Sequence, residues 1–231
     1  GLVGSEMCIR DREWRADWFS DILNENGKPN LAAAIDTLKQ LRIILGDMPL
    51  LFTFRTAAEG GEKSIDFQNY RALNLAAVEN GLADLADVEF FTAGDDAEAL
   101  VEELHKLGGK VIVSSHDFYK TPETEVLTAR LCSMRNIGAD LPKIAVMPKS
   151  RKDVLTLLEA TENASSLLDC PIITMSMSGS GTVSRLCGEV FGSAMTFGSA
   201  GKASAPGQID VQELSVMLEL LHKSLQPPYA K

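Results

Sequence analysis

Cysteine and histidine are both scarce in this 231-residue chain. The four cysteines are Cys8, Cys132, Cys170 and Cys187, and no two form a C-x-x-C pair. That excludes a zinc ribbon and a dithiol redox motif, and scattered thiols fit a reducing cytoplasmic setting. The three histidines, His105, His116 and His222, do not stand at ligand spacing, so no metal is expected. No stretch approaches eighteen uninterrupted apolar residues, so a membrane span is not expected. No charged-then-apolar leader opens the chain. Basic residues are outnumbered: 22 Lys and Arg against 32 Asp and Glu leave a net charge of -10 and a pI near 4.8. Such a surface repels phosphate backbones, so nucleic acid is not an expected partner. A small anion remains admissible, because a few local arginines outweigh a screened global field at short range. A G-x-G-x-x-G turn is also missing, and Gly179-Ser180-Gly181 is too short to stand in for one.

What is present is a repeated alternation. Apolar residues make up 45% of the chain, enough for the core of one large domain. Short apolar runs stand at Glu13–Asp17, Leu50–Arg55, Asp84–Phe91, Lys110–Asp117, Lys143–Pro148, Pro171–Ser176 and Ala194–Gly198. Amphipathic segments between them begin near Asn30, Asp66, Asp96, Thr121, Ser150, Gly181 and Asp210. Strands alternating with helices imply right-handed βαβ units around a parallel sheet. Asn30 is a helix cap by type, with Leu31, Ile35, Leu38 and Leu41 on one face after it, and Gly46 and Pro49 stop that helix. Val126, Leu127, Leu131 and Met134 repeat at helical spacing within Pro122–Ile137. Periodicity alone does not choose between a closed barrel and an open doubly wound sheet.

Seven strand–helix units are countable. Residues 1–12 carry Gly1, Gly4, Ser5 and mixed charge and do not read as a strand. The expectation is a non-native or disordered arm over 1–12 and a single α/β-barrel domain over 13–231 lacking its first strand. A barrel with that gap would expose sheet edges and be less stable and less active than a closed one.

Several polar residues fall at the ends of the apolar runs, where an α/β barrel places its chemistry. Lys143 opens Pro142-Lys143-Ile144-Ala145-Val146-Met147-Pro148. It reads either as an edge lysine whose stem packs while its ammonium reaches water, or as an imine-forming lysine whose neutral amine is favoured by apolar surroundings. His116, in Ser114-Ser115-His116-Asp117, reads as a metal ligand, a satisfied core group or a general base, and general base is the better functional reading. His105 and His222 fall on helical segments and are expected to be solvated. Arg55 and Glu59 flank a turn closed by Gly60-Gly61, which would bring Glu59 back over its strand. Glu13 and Arg15 alternate around Trp14 and so share one side of a strand. Lys202-Ala203-Ser204-Ala205-Pro206-Gly207-Gln208 reads as a loop, either a connector or a mobile lid offering Ser204 and Gln208 as neutral hydrogen-bonding groups.

Taken together, Glu13-Trp14-Arg15-Ala16-Asp17, Phe52-Thr53-Phe54-Arg55, Glu59-Gly60-Gly61, Ser115-His116-Asp117-Phe118, the Pro142–Pro148 run and Ser204-Ala205-Pro206-Gly207-Gln208 resemble the type I 3-dehydroquinate dehydratases. The resemblance runs in order from about Glu13 to the final helix. It implies a TIM (β/α)8 barrel and dehydration of 3-dehydroquinate to 3-dehydroshikimate in the shikimate pathway of aromatic amino acid biosynthesis. It also implies Lys143 as the imine-forming lysine, His116 as the general acid and base, and Glu59 as the carboxylate that orients His116. Arg185, in Thr182-Val183-Ser184-Arg185, would grip the substrate carboxylate, with Glu13, Arg15, Arg55, Ser204 and Gln208 as further contacts. No metal or organic cofactor is implied, and a homodimer is a possible assembly. Two other readings stay open: a class I imine-forming aldolase, which needs a phosphate site after the last two barrel strands, and a non-catalytic barrel fragment.

Overall fold

The computed structural model describes residues 12–201, 203 and 205–226. Its six strands are β1 (Arg12–Arg15), β2 (Leu50–Thr53), β3 (Leu85–Glu89), β4 (Lys110–Asp117), β5 (Leu141–Val146) and β6 (Ile173–Ser176), hydrogen-bonded in chain order. The helices are α1 (Leu31–Leu45), α2 (Phe67–Val78), a single turn α3 (Phe90–Ala93), α4 (Ala97–Lys106), α5 (Thr124–Asn136), α6 (Arg151–Leu167), α7 (Ser178–Leu186) and α8 (Val211–Leu225). Parallel neighbours cannot be joined by a hairpin, so each pair needs a crossover, and helices supply it. β1 to β4 are parallel, in a register that sets Glu13 beside Leu51, Arg15 beside Thr53, and Glu89 beside Ser114. The chain divides into two compact units. One is built from Asp11–His116 and Ser133–Lys143, the other from Asp117–Cys132 and Ile144–Lys231.

In the first unit, every residue of β2 is buried, as are Ala86 to Glu89 and Val111 to Ser115. Burial on both faces explains why these strands read as continuous apolar runs rather than alternating ones. Leu38, Tyr70, Leu73, Leu100 and Leu104 on α1, α2 and α4 add to that core. Helix starts follow the sequence chemistry: Asn30 caps α1 through Ala33 N–H at 3.2 Å, and Asp66 caps α2 through Asn69 N–H at 2.9 Å. The amino-terminal rim of the strands is closed by carboxylates. Asp84 accepts from Leu50 N–H at 2.8 Å and from Arg42 at 2.7 Å, while Asp140 accepts from Val111 N–H and His105 at 2.8 Å and from Lys110 at 2.9 Å. These charges stitch backbone; their position at strand starts keeps them away from the chemistry expected at strand ends. In the second unit, β6 packs against α6; β6, the last half of β5 and Leu157, Leu158 and Ala160 of α6 are buried, and the start of α6 carries a reciprocal cap between Ser150 and Asp153.

Several expectations are corrected. Ala194–Gly198 is not a strand among the described residues. Just before it, Ser193 bridges Ile172, and Ala194 N–H donates to the Ile172 carbonyl at 2.8 Å, but no ladder follows. A run so short and rich in small residues has too few consecutive partners to propagate one. Arg12 belongs to β1, its N–H donating to Pro49 at 2.9 Å, so the expected arm over 1–12 is wrong at its last residue; residues 1–11 lie outside the described residues. β5 begins at Leu141, because Asp140 N–H already bonds Val111, which puts Lys143 inside the strand and not at its mouth. Phe90 and Phe91 leave β3 for α3, and Val126 is half exposed. His105 and His222 are not merely solvated: each is held by a carboxylate, Asp140 and Glu189 respectively.

Candidate active site

The carboxyl ends of β2, β3 and β4 and the middle of β5 bring charged side chains together inside the first unit. Lys143 is 4% exposed and its Nζ lies 3.5 Å from Asp87 Oδ2. Asp87 is wholly buried and also takes Arg55 at 3.0 Å and the Ser114 hydroxyl at 2.6 Å. Arg55, 3% exposed, donates in addition to Glu89 at 2.9 Å and to Ser114 at 3.1 Å. Glu89 is saturated from the other side by Thr56 N–H at 2.8 Å and the hydroxyls of Thr56 at 2.7 Å and Thr92 at 2.6 Å. Buried ions are tolerable only with such complete pairing.

The turn after β2 carries Glu59 to this cluster. Gly60 has a left-handed φ of 86°, and Gly61 passes so close to Arg55 that a Cβ would stand 1.9 Å from its carbonyl oxygen. Only glycine permits that approach. The turn delivers Glu59 Oε2 to within 2.9 Å of His116 Nδ1 and lets it accept the His116 N–H at 3.0 Å. With Nδ1 held, Nε2 is the ring atom left to meet a substrate.

Charge states follow from the surroundings. Burial pushes the Glu59 carboxyl up to about 8, reinforced by the nearby Glu89 and Asp87 and partly offset by Arg55. Burial also holds His116 well below the usual imidazole value, helped by Arg55, Lys143 and Arg15, so its ring is neutral near pH 7. Burial opposes charge on Asp87, yet Arg55, Lys143 and the Ser114 hydroxyl outweigh it and keep the carboxylate ionised. For Arg55, burial is overcome by Asp87, Glu89 and Glu59, and its charge is locked on.

The other residues singled out in the sequence sit as follows. Glu13 accepts the Thr53 hydroxyl at 2.8 Å. Arg15 makes a two-point ion pair with buried Asp17, both contacts at 2.8 Å, and lies over the Trp18 ring at 5.6 Å. In the second unit, Arg185 is 1% exposed. It meets only weak acceptors, Met175 Sδ and the carbonyls of Phe197 and Pro206, each at 3.4 Å, and no carboxylate pairs with it among the described residues. Its Nε has no hydrogen-bond partner there, and burial lowers its pKa to about 10. A buried guanidinium so placed calls for an anion. Gln208 accepts from Ala205 N–H at 3.3 Å, and Ser204 lies outside the described residues. Among the described residues no group of three or more His, Cys, Asp or Glu could hold a metal, and no helix is long and apolar enough to cross a membrane. Asp87, Glu89 and Ser114 are absent from the sequence-based set. The available signal was two carboxylates, Asp87 and Glu89, at two-residue spacing inside an apolar run, which puts both on one face of β3.

The family model for type I 3-dehydroquinase matches residues 12–225. A 3-dehydroquinate dehydratase of Listeria welshimeri is 54% identical over 211 residues, covering 91% of this chain and 81% of the relative. One from Clostridioides difficile is 51% identical over 221 residues, covering 95% and 84%. Among solved structures, the type I 3-dehydroquinate dehydratase of Clostridium difficile with covalently modified comenic acid superposes with a TM-score of 0.88 at 51% identity, covering 96% of this chain and 85% of that one. The 3-dehydroquinate dehydratase of Geobacillus kaustophilus gives 0.87 at 38% identity, covering 93% and 81%.

Proposed function

Because the chain belongs to the type I 3-dehydroquinase family, we propose that it dehydrates 3-dehydroquinate to 3-dehydroshikimate through an imine on Lys143. It is a hydro-lyase of the shikimate pathway with the family's α/β TIM-barrel fold. The observation that carries the reading of the site is one cluster: Lys143 buried on β5, in the same unit as a neutral His116 whose Nδ1 is held by Glu59.

The chemistry needs these groups. A ketone alone acidifies the adjacent C–H too little. Lys143 Nζ bonds to the ketone carbon, the ketone oxygen leaves as water, and the nitrogen stays cationic as a protonated imine. His116 takes the proton from the neighbouring carbon; the C–H electron pair becomes a C=C bond and the C=N pair moves onto nitrogen, giving a neutral enamine. The pair then returns, expelling the β-hydroxyl, which leaves as water with the proton from His116. Hydrolysis of the conjugated imine frees product and amine.

Substrate contacts are part of the proposal. Arg185, buried without a carboxylate, supports the role of gripping the substrate carboxylate. Glu13 and Arg15 are assigned to substrate hydroxyls, with Arg15 aimed by Asp17. Arg55 bounds the site through its ion pairs. Ser204 and Gln208 are assigned to the remaining substrate contacts. A homodimer and a cytoplasmic location complete the reading, the latter supported by the scattered thiols. No observation favours the aldolase or the non-catalytic alternative.

The test is mass spectrometry after borohydride reduction with 3-dehydroquinate. The expected adduct sits on the peptide containing Lys143, and Lys143→Ala abolishes both adduct and turnover. Adduct on Lys149 or Lys120 instead, or none at all, overturns the imine assignment.

A further inference from the structure

Asp87 has no part in the steps above, yet it is a carboxylate that faces the reacting nitrogen. Its Oδ2 lies 3.5 Å from Lys143 Nζ and its Oδ1 takes the Ser114 hydroxyl, while its side chain has no exposure. A buried carboxylate opposite a lysine is costly to build, since both charges must leave water. Its effect depends on what charge the nitrogen carries at each stage.

An ammonium and a protonated imine carry the same single positive charge. Condensation of a lysine ammonium with a ketone releases one water, taking two protons, and leaves one proton on nitrogen. A fixed anion beside the nitrogen therefore loses no charge balance when the covalent adduct forms. Removal of the carbon-bound proton cancels that charge, and expulsion of the hydroxyl restores it. The surrounding groups are Arg55 after β2, Glu59 on the following turn, Glu89 on β3, Tyr70 on α2, and His116 on β4. Tyr70 is buried and its phenol is pushed well above its usual pKa by that burial and by Glu89 and Asp87, so it adds no charge. Taking Glu59 as protonated and His116 as neutral near pH 7, Asp87 and Glu89 stand against Arg55 and one cation at position 143. The cluster is neutral only while that nitrogen is positive.

Resting on the imine reading above, we propose that Asp87 is the counter-ion of the protonated imine at Lys143. It stabilises the covalent cation against loss of its nitrogen-bound proton, and Arg55 moderates that pull by sharing the same oxygen at 3.0 Å. Across 3.5 Å of poorly solvated space, one such charge outweighs any rim contact.

The test is the pH profile of borohydride trapping with 3-dehydroquinate, because borohydride reduces the protonated imine. In Asp87→Asn, the alkaline limit of trapping should move at least one pH unit toward acid, about a tenfold loss of adduct at a fixed alkaline pH. Asp87→Glu, which keeps the charge, should recover most of that shift. A purely structural role, acting by loosening Arg55, would lower kcat/KM without moving the limit. Should Asp87→Asn fail to fold, Ser114→Ala leaves the carboxylate in place but strips its hydrogen bond, and the limit should move toward alkali. If the parent protein traps at Lys143 but the Asn profile overlays it, or Ser114→Ala shifts toward acid, the counter-ion assignment is wrong. If the parent forms no adduct at any pH, the imine reading itself fails, whatever Asp87 does.

Discussion

At the scale of single residues, the pairing of His116 with Glu59 makes two predictions. His116 is held neutral by burial and by the cations Arg55, Lys143 and Arg15, so its base form persists below the ordinary 6.5. His116→Ala should therefore slow turnover by roughly 10²–10⁴-fold, the usual weight of a positioned acid–base group. The imine should still be trappable, because Lys143 is untouched. A variant that keeps its rate, or one that loses the adduct, contradicts the assignment. Glu59 makes a stability prediction. Its carboxyl rises from 4.5 to about 8 on folding, so its protonated form favours the native state. That contribution is complete below about pH 4.5 and is lost as pH rises through 8. Glu59→Gln is permanently neutral and escapes the loss. Its stability relative to the parent should improve from pH 5 to about pH 8 and level off above it, by an amount on the order of a few kcal/mol in unfolding free energy, read from Tm. A pH-independent difference would show that Glu59 ionises normally in the fold. The residue types Lys143, His116 and Glu59 were readable in the sequence because each stands beside an apolar run. Their mutual distances were not, since 27 residues separate His116 from Lys143 and 57 separate Glu59 from His116.

At the scale of elements, the turn after β2 is the part most sensitive to one methyl group. Gly61 lies against the Arg55 carbonyl, and a Cβ there meets backbone, which cannot rotate away. Gly61→Ala should cost about 1–3 kcal/mol in stability and displace Glu59 from His116, lowering kcat as well. Gly27→Ala is the comparison. Its φ of 72° is also left-handed, but nothing lies within 4 Å of the added Cβ. It should cost stability alone, about 1 kcal/mol. Thermal melts and steady-state rates on both variants separate the cases; equal rates per folded molecule would mean the turn does not position Glu59. The Gly60-Gly61 pair announced a tight turn in the sequence, whereas Ala194–Gly198 announced a strand that the fold does not make. A strand is a property of its neighbours, and its own residues cannot supply them.

At the scale of the whole molecule, the net charge of -10 acts on both stability and encounter. Like charges repel across the surface, and salt screens that repulsion over about 10 Å at 0.1 M. Raising salt from 10 mM to 150 mM at pH 7 should raise the Tm by a few degrees, read by calorimetry. The buried ion cluster around Arg55 is shielded from solvent and should contribute no opposing loss. A falling Tm would mean that the surface ion pairs outweigh the net repulsion.

What the amino-acid order determined alone is the class of fold; for the reactive residues it supplied candidates. Strands buried on both faces must be apolar throughout, helices must keep a 3.6-residue period, and a reactive lysine or histidine beside such a run stands out against it. Tertiary structure alone decided the charge states and the partners. Arg55 is held by Asp87 and Glu89 from a different strand, Glu59 is neutralised by burial beside them, and Lys143 faces Asp87 across the sheet. Each of those facts depends on through-space separation and on exclusion of water, and neither quantity is a function of position along the chain.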